Sequence, residues 1–103
     1  MNIVAVTACP TGIAHTYMAA ESLEKAAKSM GHKIKVETQG SIGIENKITQ
    51  KDVEQADVVI FAADVAVKEE FRFKGKPIYK VEAQKAIKSG KAVIEEAIKS
   101  LSS

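Results

Sequence analysis

The chain has 103 residues, of which 46% are hydrophobic, and its 15 basic and 13 acidic side chains give a formal net charge of +2. This length and composition suffice for one hydrophobic core, so we expect a single domain over residues 1–103. The charges are dispersed and Arg72 is the only arginine, which argues against a nucleic-acid surface built on a basic stripe and arginine forks.

Cys9 is the only cysteine of the chain. One thiol excludes an internal disulfide and cannot by itself make a structural zinc site, and we expect neither a metal nor a cofactor. No apolar stretch approaches the ~20 residues of a membrane span, and the first residues lack the basic start of a signal peptide. We therefore expect a cytoplasmic protein with no direct membrane span, which leaves a membrane-bound partner open.

Four segments have strand patterns, at residues 3–6, 32–38, 58–63 and 76–82. The first and third are continuous apolar runs, typical of strands that are covered on both faces in the middle of a parallel sheet. The other two alternate, which suits the edges of a sheet. In the second strand we expect Ile34 and Val36 to face one way and Glu37 to face the other.

Helical patterns lie between these strands. Small and apolar residues recur at spacings of three and four from Thr16 to Met30, and Gly31 is typical of the residue that ends a helix. A shorter helix is predicted to begin near Thr49, because Thr-Gln-Lys-Asp resembles a capping box.

A turn or two of helix is expected around residues 67–71, and a last helix from Ala83 to Leu101 that runs through Gly90. Strands that alternate with helices and are joined by right-handed crossovers predict an α/β fold. We expect a small open three-layer sandwich, with a four-stranded parallel sheet of order 2-1-3-4 that is flanked by helices.

Cys9 lies directly after the first predicted strand, where the connections of the first and third strands leave in opposite directions. Open α/β sheets bind ligands in the crevice at this point. Backbone amides at the start of a helix can bind phosphate without a basic side chain, and they also stabilise a thiolate. We therefore predict a phosphate loop after strand 1, with Cys9 as the nucleophile that accepts a phosphoryl group. The predicted phosphate-binding residues are Pro10, Thr11, Gly12, Ile13, Ala14, His15 and Thr16.

The chemistry of such a site is either hydrolysis or transfer. The spacing from Cys9 to His15 matches the tyrosine-phosphatase pattern of Cys, five residues and Arg, but a histidine stands at the arginine position. The chain also lacks the Asp-Pro pair that supplies the general acid of low-molecular-weight phosphatases. We expect a site that binds phosphate yet hydrolyses a thiophosphate poorly.

The residues alone leave other roles for Cys9, and other functions for the protein, open. A lone cysteine is often a small buried hydrophobe, although a position in a loop favours reactivity. A small cysteine phosphatase and a non-catalytic phosphate- or nucleotide-binding module compete with a phosphoryl relay.

Three further residues are predicted near the same rim as possible support. Asp64 ends the third strand across the crevice from Cys9, but a carboxylate repels a phosphoryl dianion, so we expect it to cap the next helix. Gln39 and Gly40 follow the second strand, in a loop that either contacts a partner or merely reverses the chain. For Phe71 and Phe73, a place in the core and an exposed docking patch are both open.

The segment VTACPTGIAHTYMAAE, residues 6–21, resembles the active-site segment of fructose-specific enzyme IIB of the bacterial phosphoenolpyruvate-dependent sugar phosphotransferase system. The resemblance continues at residues 36–49 and 56–64, and it is least distinctive in the last third of the chain. It implies a single IIB domain, either free-standing or part of a longer chain.

What the resemblance implies is a two-step relay. Cys9 would accept a phosphoryl group from phosphohistidine of phosphorylated enzyme IIA and transfer it to fructose, or a related sugar, bound by the membrane-embedded enzyme IIC. The chain would then be a protein-phosphohistidine–fructose phosphotransferase with a phosphocysteine intermediate at Cys9 and a phosphate loop at residues 10–16. Mannose-type and fructose-like members share the motif, so the resemblance leaves the sugar open.

Overall fold

The computed structural model describes residues 1–9, 13–40 and 43–101, with the side chain of Ile13 outside that description. In chain order the elements are β1 (Asn2–Ala8), α1 (Ile13–Ser29), β2 (Lys33–Gly40), β3 (Gly43–Glu45), α2 (Gln50–Gln55), β4 (Val58–Ala63), a 3-10 helix (Glu70–Phe73), β5 (Ile78–Val81), α3 (Ala83–Lys88) and α4 (Gly90–Ser100). Within the described ranges, no helix combines the length and the apolar character needed to cross a membrane.

The strands form one sheet of order β3-β2-β1-β4-β5. β1 pairs in parallel with β2 and with β4, and β4 pairs in parallel with β5. The four parallel strands therefore have the predicted order, 2-1-3-4 in the numbering of the prediction. The predicted count of four is wrong, because β3 adds a short antiparallel strand at the outer edge of β2. Three residues are too few to show an alternating pattern in the sequence, and β3 exists only through its pairing with β2.

Helices cover both faces of the sheet, which confirms the predicted three-layer sandwich. On one face, α1, α3 and α4 bury an aliphatic cluster that includes Leu23, Ala86 and Val93. On the other face, α2 and the 3-10 helix bury a second cluster that includes Val53 and Phe73. β1 contributes alternate residues to the two clusters, as expected for a central strand.

The ends of α1 and α2 follow the local signals of the sequence. Gly31 has φ +78°, and the amides of Gly31 and His32 donate to the carbonyls of Lys28 and Ala27, so α1 ends in a Schellman motif. At the start of α2, Thr49 and Asp52 form the predicted capping box.

The single long helix predicted from Ala83 to Leu101 is wrong. The chain breaks at Ser89, whose hydroxyl accepts a hydrogen bond from the amide of Ala92 at 3.3 Å and so caps α4. Gly90 is buried against α1, and its amide donates to the hydroxyl of Ser22 at 3.1 Å. A Cβ atom at Gly90 would lie 2.5 Å from the carbonyl oxygen of Ser22. Gly90 is therefore the first residue of α4, where it permits a close approach to α1, and it does not lie in the interior of one continuous helix.

Candidate functional site

Cys9 lies at the carboxyl end of the central strand. Ala8, the last residue of β1, is in register with Gln39 of β2 and with Ala63 of β4. The amide of Asp64 donates to the carbonyl of Ala8 at 3.0 Å. From this point β1 continues into α1 on one face of the sheet, whereas β4 continues toward the 3-10 helix on the other. Cys9 therefore lies at the point where the two connections diverge, the place at which open α/β sheets bind ligands.

The start of α1 is attached directly to β1. Thr7 is buried, and its hydroxyl donates to the carbonyl of Thr16 at 3.1 Å. Ala14 and His15 are exposed in the first turn of α1. The predicted phosphate-binding residues Pro10, Thr11 and Gly12 lie outside the described residues, as does the side chain of Ile13.

The thiol of Cys9 is half-buried and has an imidazole beside it. The distance from Cys9 Sγ to His15 Nδ1 is 3.9 Å. An imidazole at this distance can donate a hydrogen bond to the sulfur, or to a group carried by it, when the nitrogen is protonated. The structure thus brings together the predicted nucleophile and the residue at the arginine position of the phosphatase pattern.

Thr16 carries a buried hydroxyl that has no hydrogen-bond partner among the residues the structure describes. Its residue exposure is 0%, and Oγ1 makes no hydrogen bond within the part of the chain that the structure describes. A buried polar atom normally has a partner, because its desolvation otherwise costs free energy. Among the described residues, the Thr16 hydroxyl is therefore uncommitted at the start of α1.

Asp64 is exposed at the carboxyl end of β4, and its Oδ1 accepts a hydrogen bond from the amide of Ala83 at 3.2 Å. Ala83 is the first residue of α3, whose own N-cap residue, Glu82, makes no side-chain capping bond. Asp64 therefore caps a helix, as predicted. The helix is α3, which follows β5, and not the 3-10 helix that comes next in the chain.

Gln39 and Gly40 behave differently from each other. Gly40 pairs with Gly43 at the turn into β3, which agrees with a role in chain reversal. Gln39 is 5% exposed and does not belong to a surface loop. Its Nε2 donates to Glu37 Oε2 at 2.7 Å and to the carbonyl of Lys68 at 3.1 Å, and its Oε1 accepts from the amide of Lys68 at 2.8 Å.

The sequence analysis missed a buried ion pair between Glu37 and Arg72. Arg72 Nη1 and Nη2 donate to the two carboxylate oxygens of Glu37 at 2.7 and 2.8 Å, and the amide of Ile48 donates to the same carboxylate at 2.7 Å. Burial by itself would raise the pKa of Glu37. The hydrogen bonds from Arg72, Gln39 and Ile48 outweigh it, so that the pKa lies below the ordinary value.

Arg72 also binds the segment around it. Its side chain donates to the carbonyls of Glu69 and Ile48, both at 2.9 Å, and its guanidinium lies 4.8 Å from the centre of the Phe73 ring. Phe73 is fully buried and packs edge-on against Phe61. Phe71, two residues earlier, is 76% exposed. Of the two phenylalanines that the sequence left undecided, one is core and one is surface.

Comparison with known proteins places the chain in a family. The family model described as "PTS system, Lactose/Cellobiose specific IIB subunit" matches residues 4–96. The "PTS system fructose-like EIIB component 2" of Escherichia coli K12 is 55% identical over 95 residues, which cover 92% of this chain and 90% of that protein.

Two longer proteins contain a similar domain. The "PTS system 2-O-alpha-mannosyl-D-glycerate-specific EIIABC component" of Escherichia coli K12 is 50% identical over 97 residues, 94% of this chain and 15% of that protein. A solved domain of the fructose-specific IIABC component of Borrelia burgdorferi superposes with a TM-score of 0.87 at 54% identity, covering 92% of this chain and 90% of that one. The chain belongs to the IIB family of the sugar phosphotransferase system, the PTS.

Proposed function

We propose that Cys9 is the phosphoryl carrier of a fructose-like PTS, and that the chain works as a protein-phosphohistidine–fructose phosphotransferase through a phosphocysteine intermediate. The observation that carries this proposal is the position of the thiol. It lies half-buried at the carboxyl end of the central strand, 3.9 Å from His15 Nδ1 and four residues before the first residue of a helix.

In the first step, the thiolate of Cys9 attacks the phosphorus of a phosphohistidine on enzyme IIA. The S–P bond forms, the P–N bond breaks, and its electron pair returns to the imidazole of the partner. In the second step, a sugar hydroxyl bound by enzyme IIC attacks the same phosphorus. The S–P bond breaks, its electron pair regenerates the thiolate, and the hydroxyl proton leaves to a base of the sugar-binding partner.

The surroundings of Cys9 favour transfer over hydrolysis. Arg72 is buried in its pair with Glu37, so it is not available as a guanidinium clamp for a phosphoryl group. The carboxylate of Asp64 is directed to the amide of Ala83. A phosphocysteine that lacks the clamp, and beside which the predicted carboxylate is engaged in capping a helix instead of activating water, persists long enough to be handed on.

The loop is proposed to hold the phosphoryl group mainly through main-chain amides. Thr16 supports this assignment, because its buried hydroxyl lacks a partner among the described residues and can donate to a phosphoryl oxygen. His15 is proposed as a second donor, beside the sulfur. The remaining proposed phosphate-binding residues are Pro10, Thr11, Gly12, Ile13 and Ala14.

The proposed partners are phosphorylated enzyme IIA and the membrane enzyme IIC with its bound sugar, with this chain in the cytoplasm. The names of two relatives join A, B and C components in one polypeptide, which supports this pairing. Similar domains occur in proteins named for fructose and for a mannosyl-glycerate, so we propose that the sugar is selected by IIC.

The test is phosphorylation by the matching enzyme IIA. The protein is incubated with phosphoenolpyruvate, the general carriers and IIA, and its intact mass should rise by ~80 Da, the mass of one phosphoryl group. Peptide mapping should locate the group on Cys9, and Cys9→Ser should remain unmodified. His15→Ala should slow the reaction without abolishing it. His32→Ala is the matched control, because His32 lies 3.3 Å from the amino terminus, at the far end of the sheet.

Other outcomes would assign another function. If no adduct forms under conditions in which a related IIB protein is phosphorylated, that result would contradict the proposal that Cys9 is a phosphoryl carrier. Turnover of p-nitrophenyl phosphate would indicate a phosphatase, and full function of Cys9→Ser would indicate a binding module.

A further inference from the structure

We infer that Lys68 supplies a positive charge at the mouth of the Cys9 site, and that Gln39 is the positioning residue that holds Lys68 there. This inference deepens the proposed function and rests on it. It is carried by a buried chain of hydrogen bonds that starts at Arg72 and ends at the main chain of Lys68.

Gln39 holds Lys68 at two points. The amide oxygen of its side chain accepts from the Lys68 N–H at 2.8 Å, and its amide nitrogen donates to the Lys68 carbonyl at 3.1 Å. A side-chain amide that uses both its ends on one residue fixes the position and the direction of that stretch of backbone. The segment after β4 would otherwise have little regular structure before the 3-10 helix.

Glu37 sets the orientation of the Gln39 side-chain amide. A carboxylate can only accept hydrogen bonds, so Glu37 must face the nitrogen of Gln39, and the oxygen is left for the amide of Lys68. Glu37 is itself held in place by Arg72 and by the amide of Ile48. The chain of contacts thus runs from the one arginine, through two buried polar side chains, to an exposed lysine.

The two hydrogen bonds from the Gln39 side chain to the main chain of Lys68, called the Gln39 clamp below, lie beside the end of β1. Gln39 is in register with Ala8, the residue before Cys9. Because Lys68 is bonded to the Gln39 side chain, its backbone lies next to the carboxyl ends of β1 and β2, and its four-carbon stem can extend toward the Cys9 site.

In the described part of the chain, the ammonium of Lys68 makes no ion pair, although nearby lysines do. Lys47 pairs with Glu69 at 2.9 Å, and Lys80 approaches Glu70 at 3.7 Å.

A lysine ammonium suits a protein that must both accept a phosphoryl group and release it. A phosphoryl group on Cys9 brings close to two negative charges, and Arg72 is not available to neutralise them. An arginine fork would bind a phosphoryl group at two points, whereas an ammonium acts as a point charge on a flexible stem. Lys68 can therefore attract the arriving group and still release it to the sugar.

The experiment compares Lys68→Met, Lys68→Arg and the control Lys74→Met, which removes an exposed lysine from the same segment. The first readout is the rate of Cys9 phosphorylation as a function of IIA concentration. We expect Lys68→Met to lower kcat/KM about tenfold, as for the loss of one charged contact, and by less at high salt. Lys68→Arg should restore most of the rate, and Lys74→Met should leave it unchanged.

The second readout does not require transfer. The affinity of the unphosphorylated protein for inorganic phosphate, from an NMR titration, should fall in Lys68→Met and recover in Lys68→Arg. If wild type is not phosphorylated by IIA, the proposed function fails while this titration still tests Lys68. If Lys68→Met equals wild type in both readouts, the inference is overturned.

Gln39→Met tests the clamp. It should lower kcat/KM like Lys68→Met, and the double variant should be no slower than Lys68→Met alone, because both changes remove the same charge from the site. Fully multiplicative losses would show that Gln39 acts on stability or on another group, and they would contradict the positioning role. If Gln39→Met fails to fold, the Lys68 variants still decide the inference.

Discussion

Arg72 and Glu37, 35 residues apart in the chain, form two parallel hydrogen bonds of 2.7 and 2.8 Å in the interior of the protein. Their side chains are 6% and 0% exposed. This pair connects β2 to the segment that follows β4, across the face of the sheet opposite α1. The only arginine of the chain is therefore used to hold together the rim next to Cys9.

Replacing one member of this pair should be strongly destabilising. Arg72→Met leaves the carboxylate of Glu37 buried without its counter-charge, and we expect a loss of about 3–5 kcal/mol in the free energy of unfolding, measured with urea. Glu37→Leu combined with Arg72→Met should recover much of the loss, because no buried charge remains. A loss below about 0.5 kcal/mol in the single variant, as for an ordinary surface change, would contradict this account.

Lowering the pH should reduce the free energy of unfolding, because the carboxylate of Asp52 becomes protonated. The hydrogen bond from Lys35 at 2.8 Å, with those from Thr49, lowers the pKa of Asp52 from 3.8 to about 2. A lowered pKa means that the stabilisation is fully present above pH 3.8 and is lost as the pH falls toward about 2. Asp52→Asn should lower the stability at neutral pH and flatten its decline in this range. Glu95→Gln, at an exposed position on α4, should keep the wild-type profile.

Gly90 should not tolerate a side chain. A Cβ atom there would lie 2.5 Å from the carbonyl oxygen of Ser22, so Gly90→Ala must push α4 away from α1. We expect a loss of about 1–3 kcal/mol in thermal or urea unfolding, although alanine is the better helix former. Lys91→Ala, at the next and exposed position, is the control. A neutral or stabilising Gly90→Ala would mean that the helices do not touch at this point.

Thr16→Val should slow the phosphorylation of Cys9 without lowering the stability of the fold. Removing a buried hydroxyl that has no partner in the described part of the chain should leave the free energy of unfolding unchanged or raise it by up to ~1 kcal/mol. Phosphorylation of Cys9 should nevertheless slow down. Thr7→Val is the matched control, and it should cost about 1 kcal/mol because it breaks the hydrogen bond to the Thr16 carbonyl. A clearly destabilising Thr16→Val would show that the hydroxyl has a structural role.

Local patterns in the sequence were sufficient for much of the fold. Continuous and alternating apolar runs predicted the four parallel strands and their order, and Gly31 and Thr49 marked helix ends that the structure confirms. The place of Cys9 at the divergence of two connections followed from that order. These features depend on residues that are neighbours in the chain or on the periodicity of a single element.

Only the tertiary structure decided what covers each surface. Alternation placed Glu37 on the face opposite Val36, but whether that face meets water or Arg72 depends on a segment 35 residues further along the chain. The break before Gly90 likewise reflects contact with Ser22, and β3 forms only by pairing with β2. The sequence by itself determined the strands, their order and the position of the thiol, because periodicity and local signals are written in adjacent residues. The ion pair, the clamp on Lys68 and the close contact of α4 with α1 were decided by packing between distant segments.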